Sequence, residues 1–299
     1  MSASVFLVPL AAVALAIPAV AALARLWLAR RASVHANRAA LWEILYGFDW
    51  GEVTTNNYGF APTQLQAAER YQLQMYQELL DRARQAGLPR STRLLEVSCG
   101  RGGGLAHLAR AWPGELEAVG LDLSRRAIQA CMRRHGLSST LRFEAGSALS
   151  LPFPDGAFDV VVNVEASNDY GDYAGFFAEV ARVLRPGGLF LYCDTCRRSD
   201  TTRGQRLRDA GFAAELEDVT ANVIDACRID APRRKAILRR APFFLRLLFG
   251  SRLRSYAALP GSRKFTALVE GRRRYLMTCA RRLHGDAGPV QVRAAALAG

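Results

Sequence analysis

From about residue 91 onward, short apolar runs alternate with amphipathic stretches. The runs at residues 93–98 (RLLEVS), 116–121, 141–145, 158–164 (FDVVVNV) and 189–194 predict five strands. FDVVVNV is apolar enough to be buried on both faces of a sheet. Between them, helices are predicted through Leu105, Leu108 and Ala111, over 124–135 with Ser124 as N-cap, and over 173–184, closed by Pro186-Gly187-Gly188. Residues 202–210 predict another helix, 213–219 a sixth strand and 275–279 (YLMTC) a seventh that returns to the sheet edge. Strands alternating with helices imply an α/β fold with a mostly parallel sheet and helices on both faces. Upstream, Leu65, Ala68, Tyr71, Met75 and Leu79 recur at helical steps within 64–86.

Residues 5–24 contain no charge and are just long enough to span a bilayer, so an N-terminal transmembrane helix is expected, with a cleaved signal peptide or a soluble or interfacial helix as the alternatives. Arg25, Arg30, Arg31 and Arg38 follow and nothing basic precedes, which places the rest of the chain on the cytoplasmic side of a single-pass anchor. The expected organisation is then an anchor and basic collar (1–31), a helical lid region (32–90), a core (91–232), a basic amphipathic insertion (233–272), a last core strand (273–284) and a tail (285–299).

With 299 residues, 50% hydrophobic and 22% charged, the chain can bury a full core, and a disordered chain is excluded. The net charge of +13 is concentrated. Residues 233–282 hold 15 Lys and Arg against Glu270 alone, a balance of +14, which leaves about −1 for the rest. Bulky apolar residues accompany the arginines at 242–249 (PFFLRLLF), which suits a segment lying on an anionic membrane surface and equally an ordinary helix packed on the sheet. Zinc-finger, RNP and helix-turn-helix patterns are absent, so nucleic acid is not expected as a partner. Cys193 and Cys196 form a CxxC without a second pair or paired histidines, which favours buried free thiols over a metal or redox site.

The strongest chemical signal is residues 94–104, LLEVSCGRGGG, joining the first strand to a helix. Glycines at such a turn let the backbone approach a nucleotide closely. The next strand ends at Asp122, whose carboxylate is placed to accept bonds from both ribose hydroxyls. Asp169 and Asp194 follow the fourth and fifth strands on the same edge. Either could take a proton, and Asp194 is the preferred base, with Asn168 as a positioning group. A solvated turn residue (Asp169) and a helix cap (Asp194) are the plainer alternatives.

These motifs, with LPFPD at 151–155 and LRPGG at 184–188, together resemble the class I S-adenosylmethionine-dependent methyltransferases over about residues 92–196. LEVSCGRGGG and NVEAS are similar to the phthiotriol/phenolphthiotriol dimycocerosate and related lipid or polyketide O-methyltransferases. The resemblance implies a Rossmann-like seven-stranded sheet, S-adenosyl-L-methionine as cofactor, and methyl transfer to a hydroxyl of a hydrophobic acceptor. It implies that Glu96, Ser98 and Gly100, with Gly102, line the methionine end, and that Asp122, with Leu123, holds the ribose. Ser147 and Ala148 would flank the adenine, Asn163 would close the pocket and Tyr58 would lie over it as part of a lid. Ser98 stands where glycine is commoner, Ser147 where many relatives have aspartate, and Asn168 where related sequences often have histidine. C-methylation of an isoprenoid, sterol or quinone, and a non-catalytic cofactor-binding scaffold, are the alternatives.

Overall fold

The structure, a computed structural model, describes residues 42–43, 45–48, 50–136 and 140–284. The expected span at 5–24, the collar and the 285–299 tail lie outside them. Among the described residues, no helix is long and apolar enough to cross a membrane.

Eight strands form one sheet: β1 (Ser91–Val97), β2 (Glu115–Asp122), β3 (Leu141–Ala145), β4 (Phe158–Val164), β5 (Leu184–Arg197), β6 (Phe212–Ala213), β7 (Glu217–Asp218) and β8 (Arg273–Arg282). Their order is β3-β2-β1-β4-β5-β8-β6, with β7 also on β8. The first five are parallel, and β8 runs antiparallel to β5. The strand expected at 213–219 is two dipeptides, both paired with β8. Only short pieces of that stretch meet the ladder. The fifth strand begins earlier than expected, because Leu184 already pairs with Phe158, and the Pro-Gly-Gly turn is absorbed as an irregularity before Leu189 pairs with Val160.

Strand side chains alternate between two cores. On one face, Leu94, Val160, Val162 and Leu191 pack with Met75, Leu79 and Leu80 of α1 (Arg70–Ala86) and Leu105 and Leu108 of α2 (Gly103–Ala111). On the other, Leu95, Val97, Val161 and Phe190 pack with Phe176, Phe177 and Val180 of α4 (Tyr173–Val183). Between them in sequence, α3 (Arg125–His135) follows β2, with Ser124 as N-cap accepting from the Ala127 N–H. Cys193 sits in the first core and donates to Met75 Sδ (3.3 Å), while Cys196 lies three residues on along β5. Among the described residues, no group of His, Cys, Asp and Glu could hold a metal.

After α5 (Arg203–Asp209), four helices fill the region between β7 and β8: α6 (Thr220–Ile229), α7 (Ala231–Arg239), α8 (Phe243–Tyr256) and α9 (Arg263–Val269). The helical insertion therefore starts before residue 233, and it stands over the carboxyl edge of the sheet beside residues 42–58. That edge is where open α/β sheets take ligands.

Candidate functional site

At the carboxyl ends of β1, β2 and β4 lies a cavity of about 470 Å³. Ser98, Cys99, Gly100, Asp122, Leu123 and Ser124 form its floor on the first two strands. Val164, Glu165, Asp169 and Tyr170 form the β4 side, and Trp42, Tyr46, Thr55 and Asn56 cover it.

Asp122 ends β2 with its carboxylate fixed by backbone. Oδ2 accepts from the Gly100 N–H and Oδ1 from the Ser124 N–H, both at 2.9 Å. Burial pushes its carboxyl above the usual range, against these two bonds. The turn between β1 and α2 comes close enough to donate because Gly100 is left-handed (φ +58), and a Cβ there would meet Tyr46 Oη at 2.9 Å. Ser98 is left-handed too (φ 61), which is why glycine suits that position and serine stores strain of about 1 kcal/mol or more. Its hydroxyl shares a 2.6 Å bond with Tyr170 Oη, which also accepts from Asn163 Nδ2 at 2.8 Å.

The expected site residues do not all reach this cavity. Ser98, Gly100, Asp122, Leu123 and Asp169 line the cavity. Glu96 and Asn163 sit one layer behind it: Glu96 accepts from Tyr76 Oη at 2.8 Å, and Asn163 braces Tyr170 and the Val97 carbonyl. Burial lifts the Glu96 carboxyl to about 8. Gly102, Ser147 and Ala148 are not among the lining residues: Gly102 backs onto Phe143 and Cys131, and Ser147 caps its own turn through Leu149 N–H. Tyr58 lines a neighbouring cavity instead.

The preferred base does not reach the site. Asp194 is fully buried and absent from the cavity wall. It accepts from Ser167 Oγ (2.5 Å), the Asn168 N–H (3.1 Å) and the Thr195 N–H (2.7 Å), and also pairs with the Asn168 amide. Asn168 is turned inward as well, donating to the Thr195 carbonyl at 2.6 Å. The pair staples the turn after β4 to β5. Asp194 is enclosed because β5 continues past it to Arg197 beside β8, so its side chain faces the protein and not the edge.

Beside Asp169, a second carboxylate lines the cavity there, Glu165. It has φ 53 at the end of β4, and its Oε2 accepts from the Tyr58 N–H and Tyr275 Oη, both at 2.8 Å. Burial raises its carboxyl to about 8, partly offset by the Lys264 ammonium. Burial in turn lowers Lys264, whose Nζ lies 5.6 Å from the Tyr58 ring. The signal for Glu165 was its place directly after a buried strand, the same signal that singled out Asp169. The cover was less legible. It is held by Glu69, which accepts from the N–H and hydroxyl of both Thr54 and Thr55, and by Trp42 Nε1 donating to Asp169 at 2.8 Å.

Beyond Trp42, Tyr46, Thr55 and Asn56 lies a smaller cavity of about 110 Å³. Leu45, Trp50, Val53, Tyr58, Ile237, Leu238, Leu253 and Ala257 make it largely apolar.

Comparison with known proteins adds four findings. The family model described as "Methyltransferase domain" matches residues 95–192. A fatty-acid O-methyltransferase of Mycolicibacterium smegmatis is 42% identical over 53% of this chain and 59% of its own length. The chain thus spans about three fifths of that relative. A phthiotriol/phenolphthiotriol dimycocerosates methyltransferase of Mycobacterium tuberculosis is 36% identical over 62% of this chain and 68% of its own. Among solved structures, the geranyl diphosphate C-methyltransferase of Streptomyces coelicolor, solved with S-adenosyl-L-homocysteine, shares the fold (TM-score 0.62, 17% identity, 85% of this chain and 99% of that one).

Proposed function

The chain belongs to the methyltransferase family that includes the phthiotriol/phenolphthiotriol dimycocerosates methyltransferases, and from that premise we propose that it methylates a hydroxyl of a long-chain lipid or polyketide-type acceptor. The observation that supports this is the joining of two unlike cavities at one aromatic wall, one floored by Asp122 and the glycine turn, the other apolar. The residues present fit S-adenosylmethionine. A Cβ on the left-handed Gly100 would crowd the cavity against Tyr46 and Asn56, and Asn163 Oδ1, on the β4 side behind Tyr170, is a buried acceptor without a partner among the described residues. Asp122 would hold the ribose hydroxyls, Leu123 would cover the adenine side, and Ser98 with Tyr170 would border the methionine end.

When bound, the cofactor supplies an electrophilic methyl group on a positively charged sulfur. The protein's part is to hold the acceptor oxygen about 3 Å from it and in line, and to exclude water. Glu165 would accept the proton of the acceptor hydroxyl. Asp169 and Trp42 would hold the cover shut.

Asp122→Ala tests the cofactor half. Loss of a charged acceptor costs about 1.5–3 kcal/mol, so the Kd for S-adenosylmethionine should rise roughly 10- to 100-fold by titration calorimetry. An unchanged Kd would move the ribose elsewhere. Glu69→Ala tests the cover. Without its carboxylate the 54–55 segment loses four bonds, each worth about 1 kcal/mol, so Kd should rise by at least about tenfold and the Tm should fall with it. The reaction itself is read by methyl-labelled cofactor and a lipid extract. Label located on carbon in place of oxygen by mass spectrometry would favour isoprenoid-type C-methylation.

A further inference from the structure

The apolar cavity has an outer neighbour. A groove of about 290 Å³ lies between α7 and α8, walled by Lys235, Arg239, Arg246, Arg254 and Leu259. Leu238 of α7 and Leu253 of α8 line both the groove and the inner cavity. Three spaces therefore stand in series: the basic surface groove, the apolar cavity behind Leu238 and Leu253, and the cofactor cavity behind Trp42 and Tyr46.

The outer surface of α8 is unusual. Phe243 and Leu247, one turn apart, are 70% and 71% exposed, and Leu248 beside them is 57% exposed. Large apolar side chains this open, on a helix studded with arginines, fit a surface that meets lipid. The charge agrees: residues 231–269 contain ten Lys and Arg and no acid.

We propose that α7 and α8 are a membrane-facing mouth through which the acceptor rises from an anionic bilayer, with Leu238 and Leu253 as its gate. The inference rests on the cofactor cavity being the site of methyl transfer. Phe243, Leu247 and Leu248 dip into the acyl boundary while Arg239, Arg246, Arg252 and Arg254 face the anionic headgroups. An amphiphile enters with its oxygen first and its chain trailing. The oxygen reaches Glu165 while the chain fills the aromatic cavity and then the groove. A carbon chain leading to a terminal oxygen is the substrate shape that this series of spaces accepts, and a compact polar acceptor would leave two of the three empty.

The test uses the full chain and vesicles of phosphatidylcholine with or without phosphatidylglycerol. Hydrogen exchange is read peptide by peptide, so that binding elsewhere on the chain is not mistaken for docking of α8. Peptides covering 243–256 should slow severalfold with the anionic vesicles only, and Phe243→Ser with Leu247→Ser should abolish that slowing. Unchanged exchange in α8 while other peptides slow would overturn the docking. The gate is read by the rate at which a brominated fatty acid in the same vesicles quenches Trp42 and Trp50, taken against Trp42→Phe/Trp50→Phe. Leu253→Phe should slow it about tenfold, and Leu253→Ala, which needs no extra room, should speed it. Rates indifferent to both substitutions would overturn the gate. Cofactor affinity measured in parallel separates the two readings. Its absence from the wild-type protein would sink the methyltransferase site, whereas its presence with an inert α8 sinks only the mouth.

Discussion

Glu165→Gln should lower kcat by about 10²- to 10⁴-fold, the usual worth of a placed general base, or about 3–5 kcal/mol in the barrier. Glutamine keeps the shape and can still accept from the Tyr58 N–H and Tyr275 Oη, so cofactor affinity should hold within about twofold. The pH profile makes the claim specific. With its carboxyl raised to about 8 by burial, the base is mostly protonated at neutral pH, and wild-type kcat/KM should climb as pH rises through that region. The variant's profile should be flat there. Stability supplies the opposite sign. A carboxyl raised above its unfolded value contributes stability that is fully present below the unfolded pKa and is lost as pH rises through the folded one. The variant should therefore match or exceed the wild-type Tm above about pH 8. A variant that loses activity and Tm together at high pH would indicate a structural carboxylate. A variant with full activity would mean that the acceptor arrives ionised, as a carboxylate does.

The contrast between Glu165 and Asp194 shows what a sequence yields about a site of this kind. Asp122 was legible because its role needs only a strand end and a neighbouring glycine turn, and the run LEAVGLD supplies the strand. The proposed base, Glu165, was not legible in the same way. Both carboxylates sit at the carboxyl edge, and the choice between them depends on which way the backbone turns as it leaves the strand. Glu165 leaves β4 in a left-handed conformation that no local rule assigns to glutamate. Asp194 continues within β5, paired through Arg197 with β8, so its side chain is enclosed on both sides. The sheet itself was readable because its strands are buried on both faces. The 213–219 stretch misled because mixed polarity does not reveal that only its two ends touch β8. The basic insertion was visible as charge, but its helices and their exposed stripe depend on tertiary packing.

The second large effect concerns the buried ionic joint beneath the apolar cavity. Asp230 is 5% exposed and accepts from Arg233 Nε (2.7 Å), Arg234 Nε (3.1 Å) and Gln72 Nε2 (2.9 Å). Arg234, also 5% exposed, goes on to the carbonyls of Ala257 (2.9 Å) and Tyr58. One carboxylate thereby joins α1, α7, the end of α8 and the loop whose Tyr58 N–H holds Glu165. Asp230→Ala should cost about 3–5 kcal/mol, because it strands a buried guanidinium and not because the pair is intrinsically strong. Asp230→Ala with Arg234→Met should recover part of that loss in urea unfolding, since the stranded charge is gone. Burial raises the Asp230 carboxyl, but bonds and charge from Arg233 outweigh it and hold the group below its ordinary value. Such a group contributes stability above its unfolded pKa and loses it as pH falls through the folded one. Wild type should therefore weaken on acidification more than the double variant. The same joint reaches the chemistry. If Arg234 positions Tyr58, the double variant, though stable, should transfer methyl groups slowly and show a displaced pH profile. A double variant as fast as wild type would separate the joint from Glu165 and leave it a purely structural brace.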